Sequence, residues 1–268
     1  MEIVKVESKK NTALALVRSL QEKKYRREHG LFFLEGATLF FEALASGLEP
    51  ALVVLSDGAS GELRDKTLAA LETSDVRVLS VSETLYATVS SEMAPQGVLG
   101  VFSVSDVIEN SKTVHGSTTS SPERYIILEK IRDPGNVGAM MRSAAAFGYR
   151  GVIFIDSADL FNPKTVRACM GALFHLELVF CNTLSEALSF AKAHSLRLYG
   201  TSPHTARVLK DADFSSSFAL LFGNEGSGAS EEALSACDEV LTIPMQGMES
   251  LNAACACAVA VYESTRCV

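Results

Sequence analysis

The sequence has no run of about 20 apolar residues, the length a membrane-spanning helix needs. Its first residues, with Glu2, Lys5, Glu7, Lys9 and Lys10, lack the apolar core of a signal peptide. Neither a membrane span nor secretion is expected, and the expected location is the cytoplasm. Metal-spaced cysteines are missing as well. Cys169, Cys181, Cys237, Cys255, Cys257 and Cys267 all lie in the second half, and none falls in a Cys-x-x-Cys pair. They read as small buried hydrophobes in a reducing compartment, so neither a disulfide framework nor a metal site is expected. Nor is there an excess of positive charge: 24 Lys and Arg face 32 Asp and Glu, for a net charge of −8. That balance argues against nonspecific nucleic-acid binding. A local basic surface still suffices for RNA, because phosphate contacts depend on nearby Lys and Arg rather than on the total. Internal repeats are absent too.

What is present is enough for a large core. A chain of 268 residues that is 47% hydrophobic holds one large or two ordinary domains. From Asn11 the spacing predicts a helix with Ala13, Leu16, Val17 and Leu20 on one face. Lys23, Lys24, Arg26 and Arg27 follow, a basic segment that is either a solvated face or an RNA contact. Leu31 to Gly36 reads as a strand and turn opening a helix that Gly47 closes. Strands at Ala51 to Leu55, Val76 to Leu79 and Gly97 to Phe102 alternate with helices around Arg64 to Leu71 and Ser82 to Thr88, the pattern of an α/β fold. Between Val104 and Pro122 the composition turns polar, and residues 104–123 read as a linker between a domain at 1–103 and one at 124–268.

The second domain reads as strands near Tyr125 to Leu128, Gly151 to Ile155, Leu176 to Cys181, Leu196 to Gly200, Ala219 to Phe222 and Glu239 to Ile243. Apolar runs of this kind are buried on both faces, so a mainly parallel sheet is expected. Pro244 ends the last strand, Gly247 supplies a turn and Ser250 is the expected cap of a final helix. From Ala253 to Val261 that helix is apolar nearly all round, which predicts burial against other backbone.

Three stretches carry the chemistry. They are Leu128 to Ala144, containing Asp133-Pro134-Gly135-Asn136-Val137-Gly138 and Arg142; Leu220 to Gly228, a strand running into a glycine-rich turn; and Ile243 to Asn252, entering the final helix. The glycines of the second stand in the order Gly223-x-x-Gly226-x-Gly228, not the Gly-x-Gly-x-x-Gly of a dinucleotide-binding oxidoreductase. In order and spacing the three resemble the motifs of the SpoU (TrmH-like) branch of the SPOUT superfamily of RNA 2′-O-ribose methyltransferases. The resemblance covers about 124 to 268 strongly and the first third more loosely.

The resemblance implies a small N-terminal α/β substrate-binding domain, similar to a ribosomal-protein RNA-binding fold. A catalytic α/β domain with a deep trefoil knot would follow, forming a homodimer. It implies S-adenosylmethionine as methyl donor, with Gly223, Ile243 and Leu251 at cofactor-contacting positions. Phe222, Gly226 and Met245 stand beside them, where glycine lets backbone approach and apolar side chains meet an adenine ring. Asn136, Arg142, Glu225, Ser250 and Asn252 match the family's polar catalytic-centre residues. Lys23, Lys24, Arg26 and Arg27 become the expected RNA contact. Ribosomal RNA is favoured over transfer RNA as substrate, and the alternative is an RNA-binding assembly factor of the same fold that has lost catalysis.

Overall fold

The structure, a computed structural model, describes residues 1–114 and 122–266. It divides into two compact units, Met1–Asn110 with Phe161–Phe174, and Ser111–Leu160 with His175–Val268. The segment 161–174 therefore belongs to the first unit, although it falls within the stretch 124–268 expected to be one domain.

In the first unit five strands, β1 (Glu2–Val6), β2 (Leu31–Glu35), β3 (Leu52–Ser56), β4 (Arg77–Val81) and β5 (Val98–Ser103), form a sheet in the order β1-β4-β3-β5-β2. β1, β4 and β3 run parallel, and β5 runs antiparallel to both β3 and β2. The helices α1 (Thr12–Ser19), α2 (Lys23–His29), α3 (Ala37–Ala45), α4 (Gly61–Ala70) and α5 (Glu83–Tyr86) lie between the strands in sequence. Asn11 starts α1 by accepting hydrogen bonds from the N–H groups of Ala13 and Leu14. The face α1 buries centres on Leu14, Val17 and Leu20, with Ala13 and Leu16 at its margin. β1 is a strand the sequence reading did not place. Its alternating pattern is hidden among charges, and only Val6 of its five residues is fully buried.

The expected linker is partly structured. Val104–Ser111 forms helix α6, which buries Val107 and Ser111, whereas most of the polar stretch, residues 115–121, lies outside the described residues. A polar composition hid the helix: Val104, Val107 and Ile108 supply an apolar stripe that Ser, Asp, Glu and Asn neighbours dilute.

The second unit is built on six strands: β6 (Arg124–Glu129), β7 (Gly151–Ile155), β8 (Glu177–Cys181), β9 (Arg197–Thr201), β10 (Phe218–Phe222) and β11 (Glu239–Leu241). Their order is β11-β9-β10-β6-β7-β8 and every pairing is parallel. β7 and β10 are buried along their whole length, as two-sided cover by helices requires. The helices of this unit are α7 (Pro134–Ala146), α9 (Leu184–Ala193), α10 (Glu231–Ser235) and α11 (Ala253–Arg266), while α8 (Pro163–Cys169) belongs to the first unit.

Two expectations about α11 are corrected. Its cap is Asn252, whose Oδ1 accepts from the N–H groups of Ala254 and Cys255, not Ser250, which stays in the preceding loop. Nor is the helix buried all round. Cys257, Ala260, Val261 and Ser264 are sealed, partly by α7, but Val259 keeps 43% and Tyr262 49% of its surface exposed. Among the described residues no helix is long and apolar enough to cross a membrane.

Candidate active site

In open parallel sheets, ligands bind beyond the carboxyl ends of the strands where the strand order reverses. Here β7 and β8 lie to one side of β6, and β10, β9 and β11 to the other. The segments leaving β9 and β10, together with the loop before α11, enclose a cavity of about 400 Å³. A smaller one of about 100 Å³ shares Thr201, Ser202, Pro203, Ser250, Leu251 and Ala256 with it, so the two form one cleft. Phe222, Gly223, Gly226 and Leu251 line the larger part, and Ile243, Met245 and Leu251 the smaller. All six residues expected around a cofactor thus face a single cleft. Sequence reasoning missed Thr201, Ser202, Pro203 and His204, which line it after β9. The available signal was a polar, proline-containing turn at the carboxyl end of a buried strand.

The turn after β10 is built for close approach. A Cβ on Gly223 would lie 1.9 Å from the Ala229 nitrogen, so only glycine fits. Asn224 closes the turn, its Oδ1 accepting from the N–H groups of Gly226 and Ser227 at 2.9 and 3.2 Å. The buried Glu129 carboxylate anchors the far side by accepting from Ser230 N–H at 2.8 Å and Ser230 Oγ at 2.6 Å. The result is a rigid rim that presents backbone to the cleft.

A polar network joins this turn to the start of α7 and of α11. Asp133, not Asn136, caps α7, its Oδ1 accepting from Asn136 N–H at 2.9 Å, with Pro134 opening the helix. That leaves the Asn136 side chain free to bridge. Its Nδ2 donates to Glu225 Oε1 at 2.9 Å, and its Oδ1 accepts from Asn252 Nδ2 at 3.1 Å. Glu225 also accepts from the N–H groups of Arg132 and Asp133, both at 3.2 Å, and from Asn224 Nδ2 at 3.4 Å. Four donors meet two carboxylate oxygens, whose lone-pair sites are then committed. Partial burial works to raise the Glu225 pKa, but hydrogen bonds from Asn136 and from backbone N–H groups outweigh it and hold the carboxyl below its ordinary value. Glu225 is therefore an ionised hub that orders other groups. It is poorly placed to accept a further proton.

The remaining expected site residues are scattered. Ser250 lines the cleft beside Leu251. Arg142 is exposed on α7, about 9 Å further along the axis than Asn136 for six residues of rise. The network does not include it. Of the basic segment, Lys23, Lys24 and Arg27 are exposed on α2, but Arg26 is corrected: it is 3% exposed, and its Nη1 donates to the carbonyls of Leu20 and Gln21 at 2.7 and 2.8 Å. Its charge is spent on tying α1 to α2, because those two carbonyls at the end of α1 need donors. Arg26→Ala is expected to lower stability by about 2 kcal/mol, the scale of a hydrogen bond to a charged group, in urea unfolding. The triple change of Lys23, Lys24 and Arg27 to Ala is expected to leave the unfolding midpoint in place. Among the described residues no group of His, Cys, Asp and Glu is arranged to hold a metal ion. The five described cysteines are free, and burial pushes the thiols of Cys169 and Cys237 up to about 11 and 12.

A parallel α/β unit with a glycine-rimmed cleft at its strand ends, preceded by a mixed α/β unit, defines a two-domain α/β protein with a ligand-sized cleft. Residues 123–262 match the SpoU rRNA methylase family, and residues 11–100 match the MRM3-like substrate binding domain. The chain is 32% identical to the 23S rRNA (guanosine(2553)-2′-O)-methyltransferase RlmP of Bacillus subtilis over 262 residues, covering 96% of this chain and 97% of that one. The AdoMet-bound rRNA methyltransferase from Sinorhizobium meliloti superposes with a TM-score of 0.86 at 28% identity, covering 98% of each chain. The SpoU methyltransferase AviRb from Streptomyces viridochromogenes in complex with AdoMet does so with a TM-score of 0.84 at 27% identity, covering 96% of this chain and 98% of that one. The chain belongs to the SpoU rRNA methylase family, as the three motifs imply.

Proposed function

We propose that this protein transfers a methyl group from S-adenosylmethionine to a ribose 2′-hydroxyl of RNA, with ribosomal RNA as substrate. The observation that carries the reading is the single cleft that gathers Phe222, Gly223, Gly226, Ile243, Met245 and Leu251, with Glu225, Asn136 and Asn252 hydrogen-bonded in series at its edge. The apolar wall of Ile243, Met245 and Leu251 fits an adenosyl group, and Gly223 lets the turn's own backbone close tightly beside it. When bound, the cofactor supplies an electrophilic methyl on its sulfonium. The chain's own residues do the rest. Glu225 holds the Asn136 amide, which in turn fixes Asn252 at the start of α11. Arg142 meets the substrate, binding phosphate with its planar fork and stabilising charge as the ribose oxygen becomes nucleophilic. A guanidinium has five N–H donors and no acceptor, so the proton leaves to solvent or to another group.

The relatives' names support ribosomal RNA, and the match of residues 11–100 supports RNA capture by the first domain through Lys23, Lys24 and Arg27. A ribosomal-protein-like fold for that domain, and a cytoplasmic location, belong to the same proposal. So does a trefoil knot: β11 is an edge strand, yet α11, which follows it, packs on α7 and β10, so the chain passes back across the strand ends. The test is incubation with ribosomal RNA and labelled S-adenosylmethionine, followed by mapping of 2′-O-methyl positions. Cofactor binding without transfer to any RNA would leave a non-catalytic binder, and no cofactor binding would remove the reading.

A homodimer formed through α11 is proposed on its exposed stripe. Cys255, Val259 and Tyr262 recur at helical spacing and are exposed. Sedimentation is expected to give a dimer at micromolar concentration, and the double change Val259→Asp with Tyr262→Asp a monomer. A wild-type monomer would reject the interface.

A further inference from the structure

Two of the four donors on Glu225 are main-chain N–H groups, those of Arg132 and Asp133. No choice of side chain can aim them. They converge only if the turn between β6 and α7 is held in one conformation. That turn begins in an unfavourable state, because Lys130 sits at φ 55°, a left-handed conformation that costs a non-glycine residue energy and persists only under external constraint.

The constraint comes from the turn leaving β7, which carries a second left-handed residue, Asp156 at φ 44°. The two turns are stitched together. Lys130 N–H donates to the Ile155 carbonyl at 2.9 Å and Ala158 N–H to the Ile131 carbonyl at 2.7 Å. Ser157 Oγ accepts from Ile131 N–H at 3.1 Å and donates to the Leu128 carbonyl at 2.8 Å. The outermost stitch is Arg132, whose guanidinium forks onto Asp156: Nη1 to the carbonyl at 2.8 Å and Nη2 to Oδ2 at 2.6 Å. The pair is more than half exposed, so it adds little to global stability. It acts at the same residue as the hydrogen bond from Ala158 N–H to the Ile131 carbonyl, which shares a peptide plane with the Arg132 N–H.

We infer that Asp156 is a positioning residue for methyl transfer: by holding the Arg132 guanidinium it aims the Arg132 and Asp133 N–H groups at Glu225, and so sets the Asn136 amide and Asn252. This rests on the reading above that the Glu225 network serves the reaction. The chain of contacts runs Asp156 to Arg132, Arg132 and Asp133 to Glu225, Glu225 to Asn136 and Asn136 to Asn252, spanning β7, α7, the turn after β10 and the start of α11. A misplacement of about 1 Å at a reacting group costs on the order of 100-fold in rate, so a modest loosening of this turn is visible in kinetics before it is visible in folding.

The experiment compares Asp156→Ala, Asp156→Asn, Arg132→Ala and the Asp156→Ala/Arg132→Ala double variant. In Asp156→Ala, amide hydrogen exchange of Arg132 and Asp133 is expected to quicken, with the thermal midpoint lowered only by the small strain that Ala carries at this left-handed φ. The single-turnover methylation rate is expected to fall roughly 10- to 100-fold. Asp156→Asn keeps an acceptor and tolerates the left-handed conformation, so it is expected to recover most of the rate. The double variant is expected to be no slower than the worse single, because the two residues act as one unit. Wild-type amide protection in Asp156→Ala overturns the clamp, and that readout needs no RNA. Rate losses that add in the double variant, or a rate loss matched by a lowered melting temperature that Asp156→Asn fails to recover, overturn the positioning role. Absence of methyl transfer by the wild-type protein would instead strike the proposed function, while the exchange data still decide the clamp.

Discussion

Gly223→Ala is expected to weaken S-adenosylmethionine binding by on the order of 100-fold. The added methyl would lie 1.9 Å from the Ala229 nitrogen, 2.1 Å from its Cα and 2.2 Å from the Gly228 carbonyl carbon. All three are backbone atoms and cannot rotate away. Nor can the backbone retreat freely, because the next residue, Ser230, is fastened by two hydrogen bonds to the buried Glu129. The turn must therefore open, taking with it Gly226 and Glu225 on the cleft wall. Overpacking costs roughly 1–3 kcal/mol even in cores able to adjust, and that range falling on the bound state is about 5- to 150-fold in affinity. A rigid backbone clash belongs at the upper end. Titration calorimetry reads the result directly. Binding by Gly223→Ala within about threefold of wild type would show that the cleft beside β10 is not where the adenosyl group sits.

The second large effect is expected at Arg142, and it should appear in turnover rather than in affinity for the cofactor. Arg142→Lys keeps the charge but loses the planar fork that grips phosphate with two parallel hydrogen bonds. If that grip matters as reaction charge develops, kcat should fall by roughly 100-fold or more, the scale of one oriented electrostatic contact. The residue is exposed on α7 and lies outside the hydrogen-bonded series at Glu225. Stability and S-adenosylmethionine affinity should therefore stay near wild type. Near wild-type turnover by Arg142→Lys would reject the bidentate role, and near wild-type turnover by Arg142→Ala would remove the residue from catalysis.

Side-chain choices that act through local geometry were partly legible and partly not. A helix from Asn11 was readable from the apolar periodicity that follows it, and the structure makes Asn11 its cap, accepting from Ala13 and Leu14. Ser250 was an equally good cap by residue type. The loop from Ile243 runs two residues further, however, and Asn252 takes the role instead. Nothing in a residue's helix-start preference says how far a preceding loop extends. Asp133 and Asn136 are both capable caps by residue type, and only the path of the turn gives the cap to Asp133. The basic segment teaches the same lesson for charge: Arg26 and Arg27 are alike in sequence, yet only Arg26 lies over the unpaired carbonyls of Leu20 and Gln21.

By itself the sequence determined most of the elements of this protein, β1 and α6 excepted, and the order of its motifs. Short hydrophobic runs, punctuated by Gly, Pro and Asn, specify most strands of the second unit through short-range burial and turn chemistry. Tertiary structure alone decided which polar groups meet. Asn136 and Glu225 are 89 residues apart, and Asn136 and Asn252 116 apart, yet each pair shares a hydrogen bond. Those encounters depend on the strand order β11-β9-β10-β6-β7-β8, which places the ends of β6 and β10 side by side. The order itself is a matter of non-local pairing. It is settled by which buried strands exclude water together, and parallel strands with similar apolar faces carry no local mark of their neighbours.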